Sequence, residues 1–112
     1  MDDYRSHYAG KRVLVTGGAG AIGSNLTREL AQLGAEVVIV LDDLSAGYRW
    51  NVPSLCNVLF IQGSVTDEVC LKRVYQAEPH IVFHLAAFFA NQNSVDYPER
   101  DLMTNGLGTL LV

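Results

Sequence analysis

Four glycines fall within seven residues: Gly17, Gly18, Gly20 and Gly23. Gly18, Gly20 and Gly23 match G-x-G-x-x-G, and Gly17, Gly20 and Gly23 match G-x-x-G-x-x-G one residue earlier. A glycine at the start permits a tight turn with positive φ. Gly20 would let a pyrophosphate approach the backbone closely, and Gly23 would let the following helix pack on the preceding strand. The free N–H groups and positive dipole end of that helix would face the phosphates. Asp42 stands nineteen residues past Gly23. An acid about twenty residues on is placed to accept hydrogen bonds from the adenosine ribose. Together these residues read as a dinucleotide site.

The elements around them have the right periods. Arg12 to Thr16 is an apolar, β-branched run, and Ile22, Leu26, Leu30 and Leu33 follow at helical spacing. Gly34 stands at a helix C-cap. Val37 to Leu41 is uniformly apolar, as in parallel strands covered on both faces. Tyr48 to Asn57, with Trp50 and Pro53, reads as an irregular crossover, and Val58 to Ile61 as a third strand. Thr66 or Asp67 would cap a helix running to about Ala77, with Cys70, Val74 and Ala77 on one face. Pro79 enforces the exit. Ile81 to Leu85 reads as a fourth strand. Phe88 to Tyr97 is a mixed loop, and Pro98 fits the first turn of a last helix carrying Leu102, Asn105, Gly106, Gly108, Thr109 and Leu110. Residues 1–10 are expected to form a loose leader, and 11–112 the nucleotide-binding portion. The order implies an α/β, Rossmann-type parallel sheet with helices on both faces, strand order 3-2-1-4. The glycine turn should lie at the carboxyl ends of the strands.

Composition narrows the partners. With 112 residues, 49% of them hydrophobic, the chain suits one packed domain. The net charge of −4 and the lack of a basic cluster speak against nucleic acid. The apolar runs are too short to span a bilayer, and the first residues do not read as a signal peptide. Cys56 and Cys70 have neither disulfide-framework nor zinc-site spacing. A cytoplasmic protein with reduced cysteines is expected.

At this point the chain resembles the extended short-chain dehydrogenase/reductase superfamily, specifically its NAD-dependent epimerase/dehydratase family. Five motifs carry the resemblance. Thr16 to Gly23 is similar to T-G-x-x-G-x-x-G. Asp42-Asp43-Leu44-Ser45 is similar to D-N-L-S, and Gly63 to Asp67 to G-D-I-x-D. His84-Leu85-Ala86-Ala87 is similar to H-L-A-A. Ser94-Val95 through Pro98 to Asn105 and Gly108-Thr109 is similar to S-V-x-x-P…N-x-x-G-T. The resemblance implies that Gly17, Gly20, Ala21, Ile22 and Gly23 meet the pyrophosphate of NAD. It implies Asp42 on the ribose hydroxyls, with Asp43, Leu44, Ser45 and Gly47 flanking ribose and adenine. Ser64 and Val65 would line the adenine edge. Leu85, Ala86 and Ala87 would pass the nicotinamide side, and Asn105 would anchor the loop near it. The implied substrate is a nucleotide sugar, handled by hydride transfer through a keto-sugar in a homodimeric parent enzyme.

Two positions depart from the pattern. Ser64 replaces an aspartate, so a charged acceptor for the adenine amino group is absent. Phe89 stands where a lysine is expected in UDP-glucose 4-epimerases, a departure that bears on the choice between epimerase and dehydratase and not on the family. The family's catalytic Tyr-x-x-x-Lys is also missing. The residues four past Tyr4, Tyr8, Tyr48, Tyr75 and Tyr97 are Tyr8, Arg12, Val52, Pro79 and Asp101. The chain stops at Leu110-Leu111-Val112 within an apolar helical face. Both features are expected of the amino-terminal part of a longer enzyme, inactive by itself. An NADPH-dependent extended short-chain reductase and a non-catalytic dinucleotide sensor are the alternatives. Other residues have plainer readings: His84 as a hydrogen-bonded core histidine, Phe88 and Phe89 as core or pocket wall, Asp67 as a helix cap.

Overall fold

The computed structural model describes residues 4–87, 96 and 98–112. The expected roles of Phe88, Phe89, the 91–94 loop and Tyr97 therefore fall outside the described residues. Four strands, β1 (Arg12–Thr16), β2 (Val37–Asp42), β3 (Val58–Gln62) and β4 (Ile81–His84), form one sheet in the order β3-β2-β1-β4. All three pairings are parallel, with Val13 opposite Val38 and Ile81. This is the expected order.

The uniform apolar character of β1 and β2 follows from cover on both faces. Val13, Val15, Val38 and Val40 point to one layer, where Leu30, Ala31 and Ala35 meet them. The alternate residues Leu14, Ile39 and Leu41 point to the other, against Val65, Leu71 and Val74. The period of two along each strand thus feeds two cores from one sheet. The outer strands are less covered: Leu59 of β3 and Val82 of β4 are exposed.

The helices show how local chemistry sets their limits. Helix α1 is one turn, Tyr4–His7. Just beyond it Tyr8 packs on the first core, its ring 6.2 Å from that of Phe83. Residues 4–7 are exposed, while Tyr8 is half-buried and Gly10 N–H donates to Gly34 O. Helix α2, Ala21–Gln32, ends in a Schellman arrangement: Gly34 takes φ 90°, its N–H donates to Ala31 O, and Ala35 N–H donates to Leu30 O. Asn57 Nδ2 adds hydrogen bonds to the carbonyls of Ala31 and Ala35. The buried face of α2 is Gly23, Ser24, Thr27, Leu30 and Ala31. It is rotated from the expected stripe, and Ile22 is exposed. The reason is Gly23, whose close approach to the glycine turn fixes which side of the helix meets the sheet.

Helix α3, Glu68–Tyr75, is capped by Asp67, whose Oδ1 accepts from the N–H groups of Val69 and Cys70. Leu71 and Val74 are its buried residues, with Cys70 and Ala77 packed beside them. The last helix, α4, includes Pro98, the residue expected in its first turn, and Asp96 ahead of it is also helical. It is α-helical over Pro98–Asp101, widens to a π-helix over Leu102–Leu107, and is α-helical again over Gly108–Leu111. Gly106 and Gly108, weak helix formers, fall at this irregularity. Leu111 and Val112 pack on the second core, and Tyr75 Oη donates to Val112 O at 2.8 Å.

Candidate dinucleotide-binding groove

The carboxyl ends of β1, β2 and β4 open into a groove of about 500 Å³. A parallel sheet places its ligands there, where the connections on either side of β1 diverge to opposite faces. Gly17 leaves β1 with φ 73°, and its N–H donates to Leu41 O at 2.8 Å. A Cβ at Gly17 would stand 2.8 Å from the Ala86 nitrogen, so no other residue fits this crossing of backbones. A Cβ at Gly23 would collide with the Gly17 carbonyl oxygen. These two glycines are required by the protein's own packing.

Gly20 is different. Its φ is −80°, which any residue adopts, and a Cβ there would meet only Gly17 O at 3.4 Å. Among the described residues, none excludes a Cβ at this position. Gly20 faces the groove and is the N-cap of α2, with no side-chain cap. The N–H groups of Ala21, Ile22 and Gly23 begin the helix and have no intrahelical acceptors. A missing Cβ, uncapped amides and a helix dipole together form a cradle that fits a pyrophosphate. Exposed Ile22 lies along it.

Asp42 closes the next part of the groove. It is 9% exposed, and its two oxygens divide their work. Oδ2 accepts from Ala19 N–H at 2.9 Å, and Oδ1 from Leu44 N–H at 2.8 Å. The carboxylate therefore ties the glycine turn to the exit of β2. A carboxylate offers about four lone-pair sites, so capacity is left for two ribose hydroxyls. Among the described residues that line the groove there is no Lys or Arg. Arg49, the nearest cation after β2, lies with its guanidinium 4.6 Å from the centroid of the Phe60 ring.

Of the expected site residues, Gly17, Gly20, Ala21, Ile22, Gly23, Asp42, Asp43, Ser45, Gly47, Ser64, Val65, Leu85, Ala86 and Ala87 all line the groove. Leu44 and Asn105 are not among the lining residues. Leu44 takes φ 64° and packs on the first core. Asn105 sits in the π-helical turn of α4, where its carbonyl accepts from Thr109 Oγ1 at 2.6 Å. The neighbouring Thr104 lines the groove instead, with Leu41, Ala46 and Gly63. Sequence reading missed Thr104 because a regular helical period does not reveal a widened turn. Ser64 Oγ accepts from Thr66 N–H at 3.1 Å and lies 2.7 Å from Thr66 Oγ1. The hydroxyl thus forms a local turn at the position where the pattern has a carboxylate.

His84 is half-buried at the end of β4. Its Nδ1 is 2.7 Å from Thr16 Oγ1 and its Nε2 is 3.1 Å from Thr109 Oγ1. Burial pushes its pKa below the ordinary histidine value. The plain reading, a hydrogen-bonded histidine, describes its surroundings.

Comparison with known proteins agrees with this geometry. Residues 13–112 match the model of the NAD dependent epimerase/dehydratase family. A UDP-glucose 4-epimerase of Mycolicibacterium smegmatis is 39% identical over 102 residues, covering 88% of this chain and 32% of that protein. The solved structure of an epimerase from Methanothermobacter thermautotrophicus superposes with a TM-score of 0.94 at 58% identity, covering 96% of this chain and 32% of that one. The Bordetella bronchiseptica enzyme WbmF, solved with NAD+, gives a TM-score of 0.88 at 42% identity, covering 95% of this chain and 32% of its own. The chain spans about a third of the length of each of these proteins. With the family model matched from the first strand to the last helix, the chain belongs to the NAD-dependent epimerase/dehydratase family.

Proposed function

We propose that this chain is the NAD-binding part of a nucleotide-sugar epimerase or dehydratase. The observation that carries the reading is Gly20. It has no structural need to be glycine, yet it opens the cradle at the uncapped start of α2. Amides at the start of α2 bind the pyrophosphate. Asp42 takes the adenosine ribose, Ser64 and Val65 border the adenine, and Leu85 to Ala87 flank the nicotinamide. Bound NAD would supply a hydride acceptor for oxidation of a sugar hydroxyl to a keto-sugar. The chain's own part is to bind, orient and exclude water. No Tyr-x-x-x-Lys occurs in these 112 residues, and none of them is assigned the substrate proton.

Asp42 makes NAD the expected cofactor over NADP. Its carboxylate would accept from two ribose hydroxyls and would repel a 2′-phosphate. The test uses the full-length protein, loaded with NAD and offered UDP- and dTDP-linked hexoses. A nucleotide-sugar enzyme gives epimer or dehydrated product with transient reduced-nicotinamide fluorescence. Binding of NAD without turnover of any nucleotide sugar would favour a dinucleotide sensor. Consumption of NADPH by a small carbonyl compound would favour a reductase.

A further inference from the structure

The hydroxyls around His84 fix where every proton lies. Ala86 N–H donates to Thr16 Oγ1 at 3.1 Å. Thr16 is fully buried and its hydroxyl has one proton. That proton points to His84 Nδ1, 2.7 Å away. On the other side, Thr109 Oγ1 donates its proton to Asn105 O. Thr109 Oγ1 can then only accept from His84, so Nε2 carries the hydrogen. The result is one unidirectional chain: Ala86 N–H to Thr16, Thr16 to Nδ1, Nε2–H to Thr109, Thr109 to Asn105 O. It begins on a backbone amide in the groove wall and ends in the π-helical turn, next to Thr104 in the same wall.

We infer that His84 is a positioning residue that, as the neutral Nε2–H tautomer, fastens the π-helical turn of α4 to the end of β4. It thereby sets the spacing of the groove wall between Ala86 and Thr104. A second contact supports this placement. A Cβ at Gly108 would stand 2.5 Å from Val65 Cγ1's sister methyl, Cγ2, so α4 approaches the Val65 loop as closely as a bare backbone allows. Close packing at Val65 and the hydrogen-bonded chain at β4 thus hold α4 on its groove side, beyond the contacts of Leu111 and Val112 with the second core. A cation at His84 would break the chain. Nδ1–H would need Thr16 Oγ1 as acceptor, and the buried Thr16 proton would lose its own. The part of the inference that concerns NAD rests on the proposed reading of the groove.

Two readouts on the full-length protein test it. Long-range 1H–15N correlation of the histidine ring in the NAD-free protein should show a single neutral Nε2–H tautomer. Calorimetric titration with NAD should show Thr109→Val weakening binding about three- to tenfold, the loss of one ordinary hydrogen bond. Thr109→Ser, which keeps the hydroxyl, should restore wild-type affinity. Thr109 is exposed, so neither variant threatens the fold. An Nδ1–H or doubly protonated His84 at neutral pH, or equal NAD affinity in Thr109→Val and wild type, overturns the inference. A wild-type protein that binds no NAD overturns the reading of the groove, and the tautomer still decides whether the chain of hydrogen bonds exists.

Discussion

Gly20 and Gly23 separate two reasons for glycine in one turn. Gly23 is closed by the Gly17 carbonyl, so Gly23→Ala should cost about 1–3 kcal/mol, as overpacking does, and lower the thermal midpoint. Gly20→Ala meets ordinary contact distances. It should cost under about 1 kcal/mol, the difference between Gly and Ala at an N-cap, yet weaken NAD binding. Thermal denaturation and NAD titration on both variants give that contrast. Asp42 combines both kinds of duty. Asp42→Ala removes the acceptor of the Ala19 and Leu44 amides as well as the proposed ribose contact. A charge-assisted hydrogen bond is worth about 1.5–3 kcal/mol, so NAD affinity should fall roughly ten- to a hundredfold. The preference over NADP should narrow as the like charge is removed. The structure adds a stability loss of about 1–3 kcal/mol for the amide left unpaired. Chemical denaturation of the NAD-free variant measures that loss separately. The ribose role proposed for Asp42 rests on spacing. The hold on Ala19 was not legible, because no local pattern tells which backbone amide will meet a carboxylate twenty-three residues away.

Among the elements, α3 and α4 differ in how they are held. Helix α3 starts on a side-chain cap, and Asp67→Ala should cost about 0.5–2 kcal/mol without altering the groove. Melting curves and NAD affinity on the one variant check both halves of that statement. Helix α4 is held through His84, the Gly108 contact and the packing of Leu111 and Val112 on the second core. Burial lowers the pKa of His84 in the folded protein, so the unfolded chain binds its proton more readily. The sign follows: this contribution to stability is full above the unfolded value of about 6.5. It shrinks as pH falls from there through the folded value. Urea unfolding at stepped pH should therefore show stability declining into the acid range. His84→Gln, which cannot titrate, should flatten that decline. Capping of α3 was visible as Asp67 ahead of an apolar helical stripe. The π-helical turn was not, since Gly106 and Gly108 lower helix propensity without specifying a wider turn. The docking of Tyr8 had only an aromatic in a polar segment as its signal.

At the scale of the whole molecule, two cores share one sheet, and the strand order could be read beforehand because β1 and β2 are apolar on both faces. Right-handed crossovers then leave few arrangements. The groove was legible for the same reason: open parallel sheets bind at the strand ends where the connections diverge. Uneven cover should be measurable. Amides of β1 and β2, inside the sheet, should exchange hydrogen most slowly, and those of one-turn α1 and of α4 faster than those of α2 and α3. Mass-spectrometric hydrogen exchange with and without NAD would show this, with added protection expected at the glycine turn and at residues 42–47. The account stands most directly on calorimetric titration of the full-length protein with NAD and NADP, beside Gly20→Val. One NAD site per chain, weaker binding of NADP, and a Gly20→Val variant that folds but loses NAD affinity are the predicted result. Equal affinity for the two cofactors, or undiminished NAD binding with a valine side chain in the cradle, would contradict it.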